Sequence, residues 1–129
     1  MTACACRKRH ILVVDDDPSV CETVELVLKL DGHLVDSVAS GSEALALFAP
    51  GKFDLVFTDY YMPAMTGNKL AAALRSRSPS QPIVMLTAYG EKLRASDSPL
   101  TCVDAFIGKP FEIESLRQAV VKFSPTSNP

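Results

Sequence analysis

The sequence predicts an α/β fold built on a five-stranded, doubly wound parallel sheet, a (βα)5 chain, and three observations carry that expectation. Short apolar, β-branched runs alternate with helical patterns five times along the 129 residues. Strands separated by helical crossovers run parallel, with right-handed connections and helices on both faces. The polar residues that follow the runs also form a set: Asp15, Asp16 and Asp17 after the first, Asp59 after the third, Thr87 at the end of the fourth and Lys109 after the fifth.

Taken in order, HILVV (10–14) is a β-branched run bounded by charge, and it reads as a buried strand. Asp17 stands as N-cap with Pro18 at the first helical position, where the missing N–H matters least. Val20, Val24, Val27 and Leu28 supply the apolar stripe of this helix, and Gly32 stops it. HLVDSV (33–38) alternates like a more exposed strand. Ser40 and Glu43 have the spacing of a capping box, which predicts a second helix over 43–48, ended near Pro50-Gly51. FDLVFT (53–58) is a second buried strand, and the alanine- and leucine-rich stretch 69–77 is helical. PIVMLT (82–87) is a third buried strand and VDAFIG (103–108) a shorter one. Between them, 91–98 is short and polar and Pro99 follows, so the fourth helix is expected to be short or irregular. EIESLRQAVVKF (112–123) closes with an amphipathic helix. Residues 1–9 read as a frayed or disordered N-terminus, 10–123 as one domain, and 124–129 (SPTSNP) as a flexible tail.

Composition narrows the function classes. The chain is 47% hydrophobic and 22% charged with a net charge of −2, so nothing favours nucleic acid. The one basic cluster, Arg7-Lys8-Arg9-His10, reads as a solvated lead-in to the first strand. No apolar stretch approaches the ~18 residues of a membrane span, and no hydrophobic segment follows the first charges as a signal peptide requires. A cytoplasmic protein is expected. Cys4, Cys6, Cys21 and Cys102 include no second pair at zinc-finger spacing and read as reduced thiols.

The chemistry is expected at one sheet edge. Ligands of doubly wound sheets bind outside the carboxyl ends of the strands. Several carboxylates near one point repel and favour a bound cation, and oxygen ligands without Cys or His favour Mg2+, with Mn2+ as an alternative, over zinc. Lys109 adds a compact cation and Thr87 a hydroxyl. A carboxylate nucleophile, a divalent metal, an ammonium and a hydroxyl together suit a phosphoryl group.

With these residues in place, the sequence resembles the response-regulator receiver domains of two-component signalling, over nearly all of 10–123. The matching stretches are ILVVDDDP (11–18), DLVFTDYYMPAMTG (54–67), VMLTA (84–88) and FIGKPF (106–111). The resemblance implies the flavodoxin-like strand order 2-1-3-4-5. It implies that Asp59 is the phosphoacceptor and that Asp16, Asp59, the Tyr61 backbone carbonyl and, largely through water, Asp15 hold Mg2+. It further implies that Thr87 and Lys109 hold the phosphoryl oxygens, that Thr87 and Phe106 form the switch, and that Lys109–Pro110 is cis. Gly67 matches the glycine that follows the family's Met-Pro turn. Tyr61 and Tyr89 fall two residues after Asp59 and Thr87, flanking the acyl phosphate, and are expected to slow its loss. The implied donor is a histidine kinase or histidine phosphotransfer protein, and the output is a downstream protein bound at the face of the fourth helix, fifth strand and fifth helix. A phosphorylation-dependent homodimer is left open. As a single-domain regulator of this kind the chain is expected to catalyse only its own phosphorylation and dephosphorylation.

The chain departs from the pattern at Thr66, where the family often has Asp, and at Phe106, which lacks the hydroxyl of the frequent tyrosine. Two alternatives compete. A haloacid-dehalogenase-type phosphatase also uses a D-x-D after a strand, which Asp15 and Asp17 mimic, but only Glu112 and Glu114 follow Lys109 and there is no room for a substrate cap. A receiver-like binding module independent of phosphorylation is opposed by the presence of acceptor, acidic residues and lysine.

Overall fold

The computed structural model describes residues 9–60, 62, 64–87, 103–108 and 112–123. The helix expected over 91–98, the flexible tail and all but the last residue of the frayed N-terminus lie outside the described residues. Among those described, five strands and four helices follow one another: β1 (His10–Val14), α1 (Pro18–Leu30), β2 (Leu34–Val38), α2 (Gly41–Leu47), β3 (Leu55–Asp59), α3 (Gly67–Arg77), β4 (Ile83–Thr87), β5 (Ala105–Gly108) and α4 (Ile113–Phe123). The strands form one sheet in the order β2-β1-β3-β4-β5, and every pairing is parallel. The expected doubly wound architecture is therefore present.

The alternation of side chains along a strand divides the core into two layers. Ile11, Val13, Leu55, Phe57, Val84 and Leu86 pack on one face against Val24 and Leu28 of α1 and Leu116 and Val120 of α4. Leu12, Val14, Val56 and Ile83 pack on the other against Ala44 of α2 and Leu70, Ala71 and Leu74 of α3. This double burial explains why β1, β3 and β4 read as unbroken apolar runs rather than as alternating ones. β2, at the sheet edge, is half-exposed, as its alternating sequence predicts. β5 differs from expectation: it is shorter than 103–108 and only half-buried, because it pairs with β4 alone among the described strands.

Capping chemistry sets the helix ends. Asp17 accepts from the Ser19 N–H at 2.9 Å, and Gly32 at φ +92° closes α1 by donating to Lys29 O while His33 N–H donates to Leu28 O. That pair of bonds is a Schellman motif, which needs a left-handed residue at Gly32. Ser40 caps α2 by accepting from Glu43 N–H at 3.2 Å, and the Glu43 carboxylate returns to the Ala39 N–H, one residue before the cap. α2 thus starts at Gly41 rather than at 43. α3 likewise starts two residues before 69, because Thr66 Oγ1 accepts from Lys69 N–H and offsets the weak helix propensity of Gly67 and Asn68. Thr66 does what an Asp would do at an N-cap.

Gly67 positions the loop that follows β3. Its N–H donates to Tyr60 O at 2.7 Å. A β-carbon there would collide with the Asp59 carbonyl oxygen and sit 3.0 Å from the Asp59 carbonyl carbon and 3.1 Å from Tyr60 Cα. Only glycine allows the start of α3 to lie this close to the strand end. Met62, buried among the residues of the α2–α3 layer, anchors the same loop.

His33 is buried, and its Nδ1 accepts from the Arg9 N–H at 3.0 Å. Burial holds its pKa below the usual 6.5. Its contribution to stability is present above the unfolded value of 6.5 and is lost as pH falls through the lower folded value. Urea unfolding at about pH 7.5 and about pH 5.5 should show the wild type losing more stability on acidification than His33→Gln, which keeps an acceptor for Arg9. A second expectation concerns Gly67→Ala, which should cost roughly 1–3 kcal/mol because backbone must move. Gly41→Ala should cost less, since the atom nearest its β-carbon is the flexible Met65 Sδ at 2.6 Å. Denaturant midpoints of the two variants provide the comparison.

Candidate metal and phosphoryl site

The register of the central strands assembles the acidic site. Val14 pairs with Thr58, so Asp15 and Asp59 occupy the next positions on neighbouring strands. Asp59 is the last residue of β3 rather than the first of the loop, and it pairs with Leu86 of β4. One carboxylate oxygen from each of Asp15, Asp16 and Asp59 lies within 4.8 Å of the others. Asp15 and Asp59 are 1% and 8% exposed, whereas Asp16 faces solvent. Like charges brought this close favour a bound cation.

The backbone holds both buried acids in place. Asp15 Oδ1 accepts from the Asp17 N–H at 2.9 Å, and the Asp15 N–H donates to Val38 O, tying the β1 end to β2. Asp59 Oδ1 accepts from the Tyr60 N–H at 2.9 Å. The Thr58 hydroxyl, fully buried, donates to Asp59 O at 3.0 Å. Thr58 therefore steadies the residue next to it, a role the sequence reading did not assign, since a threonine inside a β-branched run reads only as strand. Its sole sequence signal is a hydroxyl inside a buried strand, which requires a partner.

The donor set consists of oxygens alone, from three carboxylates on a firmly paired strand edge. It fits a hard divalent cation such as Mg2+. Cys21 lies near but belongs to a different group: its Sγ donates to the Asp15 carbonyl at 3.2 Å. Burial first, and then the charge of Asp15, push its pKa up to about 11, so it remains a thiol at neutral pH. Beside the acids opens a cleft of about 330 Å3 between the start of α1 and the ends of β2, with Glu22, Glu25 and Glu43 on its walls.

Of the remaining expected site residues, Thr87 lies on β4 and Phe106 on β5. Thr87 ends β4 one position beyond the partner of Asp59, and it pairs with Gly108. Phe106 pairs with Met85 and is half-buried. Lys109 and Pro110 follow β5 directly in the chain, and they lie outside the described residues together with Tyr61 and Tyr89. No helix of the described residues is long and apolar enough to cross a membrane.

Comparison with known proteins agrees with this geometry. The family model described as response regulator receiver domain matches residues 11–121. The transcriptional regulatory protein GlrR of Escherichia coli is 35% identical over 111 residues, 86% of this chain and 25% of its own length. The response regulator MprA of a Mycobacterium species is 35% identical over 93% of this chain and 54% of its own length. The chain thus spans between a quarter and about half of these relatives. Among solved structures, response regulator TrrA of Thermotoga maritima, in complex with Mg2+–BeF, superposes with a TM-score of 0.80 at 34% identity, covering 91% of this chain and 99% of that one. The chemotaxis response regulator CheY4 of Vibrio cholerae gives a TM-score of 0.78 at 30% identity over the same shares. None of these favours a phosphatase. Matched over residues 11–121 and sharing the sheet order and the acidic strand edge, the chain belongs to the response regulator receiver domain family of two-component systems.

Proposed function

We propose that this receiver domain accepts a phosphoryl group onto Asp59 from a phosphohistidine donor, in a Mg2+-dependent reaction, and thereby changes a protein-binding face. The observation that carries the reading is the convergence of Asp15, Asp16 and Asp59 within 4.8 Å at the tips of two rigid, adjacent strands. In-line attack needs a carboxylate whose position does not wander, and β3 supplies it.

An Asp59 carboxylate oxygen attacks the phosphorus of the donor phosphohistidine. The new O–P bond forms as the P–N bond breaks, and the electron pair leaves on the imidazole nitrogen. Asp16 and Asp59, the Tyr61 carbonyl and, through water, Asp15 are the residues that would hold Mg2+, and Mn2+ has similar ligand preferences. When bound, the metal would offset negative charge on the phosphoryl oxygens. Lys109 contributes a second positive charge and Thr87 a hydroxyl donor. Drawing the Thr87 hydroxyl inward frees volume that Phe106 occupies, and the surface around β5 and the last helix changes shape. Without a hydroxyl on Phe106, this switch works through packing alone.

In this reading the chain is a cytoplasmic signalling module that acts on itself rather than on an exogenous substrate. Its partners are a histidine kinase or histidine phosphotransfer protein and a downstream protein target. The relatives named as transcriptional regulators carry the domain within longer chains.

Incubation with acetyl phosphate and Mg2+ should add the mass of one phosphoryl group to the wild type and none to Asp59→Asn, and a chelator should prevent it. Absence of added mass in the wild type would overturn the reading and favour a phosphorylation-independent module. Phosphoryl lifetime gives a separate expectation. Replacing Tyr61 and Tyr89 together with asparagine should speed loss of the phosphoryl group by about threefold or more, equivalent to ~0.6 kcal/mol of barrier. A decay rate unchanged or slower than wild type removes the two rings from the mechanism.

A further inference from the structure

β5 is the strand from which the chain runs directly into Lys109, and its own sequence pins its register weakly. Ala105, Phe106 and Ile107 are three consecutive half-buried apolar residues, and Gly108 is exposed. A run of this kind lacks the alternation that makes a one-residue slip costly, and β5 pairs on one side alone among the described strands. Ala105 and Ile107 pack against the layer of α1 and α4, and this partial burial leaves room for polar contacts to contribute to the register.

The far end of the strand carries a polar clamp. Arg75, in the last turn of α3, donates from Nε to Gln81 O at 2.7 Å and from Nη2 to Asp104 Oδ2 at 2.8 Å. The same Asp104 oxygen accepts from the Ile83 N–H at 2.8 Å, while the Asp104 N–H donates to Ile83 O at 2.7 Å. One carboxylate thus fastens the start of β5 to the start of β4 and to the end of α3. The clamp lies at the opposite end of the strands from Asp59 and touches none of the acidic trio. A slip of one residue would move Gly108 away from Thr87 by ~3.3 Å.

We infer that Arg75 and Asp104 are positioning residues for the phosphoryl-transfer site, setting the β4–β5 register that pairs Gly108, the residue before Lys109 in the chain, with Thr87. The inference rests on the function proposed above. It separates two properties of the site. Mg2+ affinity depends on β1 and β3, which the clamp does not hold, whereas the phosphorylation rate depends also on β5.

The test uses the full chain at a temperature where each variant is fully folded by circular dichroism. Mg2+ affinity is measured by calorimetric titration, and the rate of phosphorylation by acetyl phosphate is followed by mass spectrometry. Asp104→Ala should slow phosphorylation between about tenfold and a hundredfold with Mg2+ affinity within about twofold of wild type. Asp104→Asn, which keeps an acceptor for Ile83 N–H but loses the ion pair, should fall between Asp104→Ala and wild type, and it carries the test if Asp104→Ala does not fold. A wild-type rate in these variants overturns the inference, as does a parallel fall in Mg2+ affinity, which would mark a general loosening of the sheet. If the wild type itself takes no phosphoryl group, the proposed function fails and the inference fails with it.

Discussion

Two buried carboxylates of like charge, Asp15 and Asp59, are forced together by the register of β1 against β3, and much of the molecule follows from that constraint. Left to themselves they would move apart or take up protons. Each accepts a backbone N–H, and their strands are covered on both faces by apolar layers. The sheet supplies the rigidity and the helices supply the burial. Repulsion stored at the edge is what makes an oxygen-ligated cation favourable there.

The surrounding local structure serves the same edge. The turn through Asp15, Asp16 and Asp17 does double duty: Asp17 donates to Asp15 through its N–H and caps α1 through its side chain. Gly67 lets α3 begin against the Asp59 carbonyl, and the Thr58 hydroxyl donates to that same carbonyl. The strand that ends in Asp59 is thus braced from its neighbour in sequence and from the helix that follows. The sheet is less uniform on the other side, where Arg75 and Asp104 join the start of a half-buried β5 to β4 and α3.

Much of this was legible beforehand, for identifiable reasons. Apolar runs such as HILVV and PIVMLT announce strands buried on both faces, and Asp17-Pro18 and Ser40-x-x-Glu43 announce helix starts through short-range chemistry. Boundaries were less legible. α3 begins at Gly67, a poor helix former, because a threonine cap and a close approach to β3 outweigh propensity. β5 is less buried than its composition suggests, because edge position is decided by strand order and not by residue type. The Arg75–Asp104 contact spans 29 positions in sequence and leaves no local mark.

By itself, then, the sequence determined which segments are strands and helices, which residue types stand at the strand ends, and the family to which they point. Periodicity and capping act within a few residues, so they can be read along a line. The tertiary structure alone decided that Asp15, Asp16 and Asp59 meet within 4.8 Å of one another, that Thr58 and Gly67 brace Asp59, and that an ion pair joins α3 to the start of β5. Those outcomes depend on strand register and on how closely two backbones approach. Both are set by packing between distant segments, which no local pattern encodes.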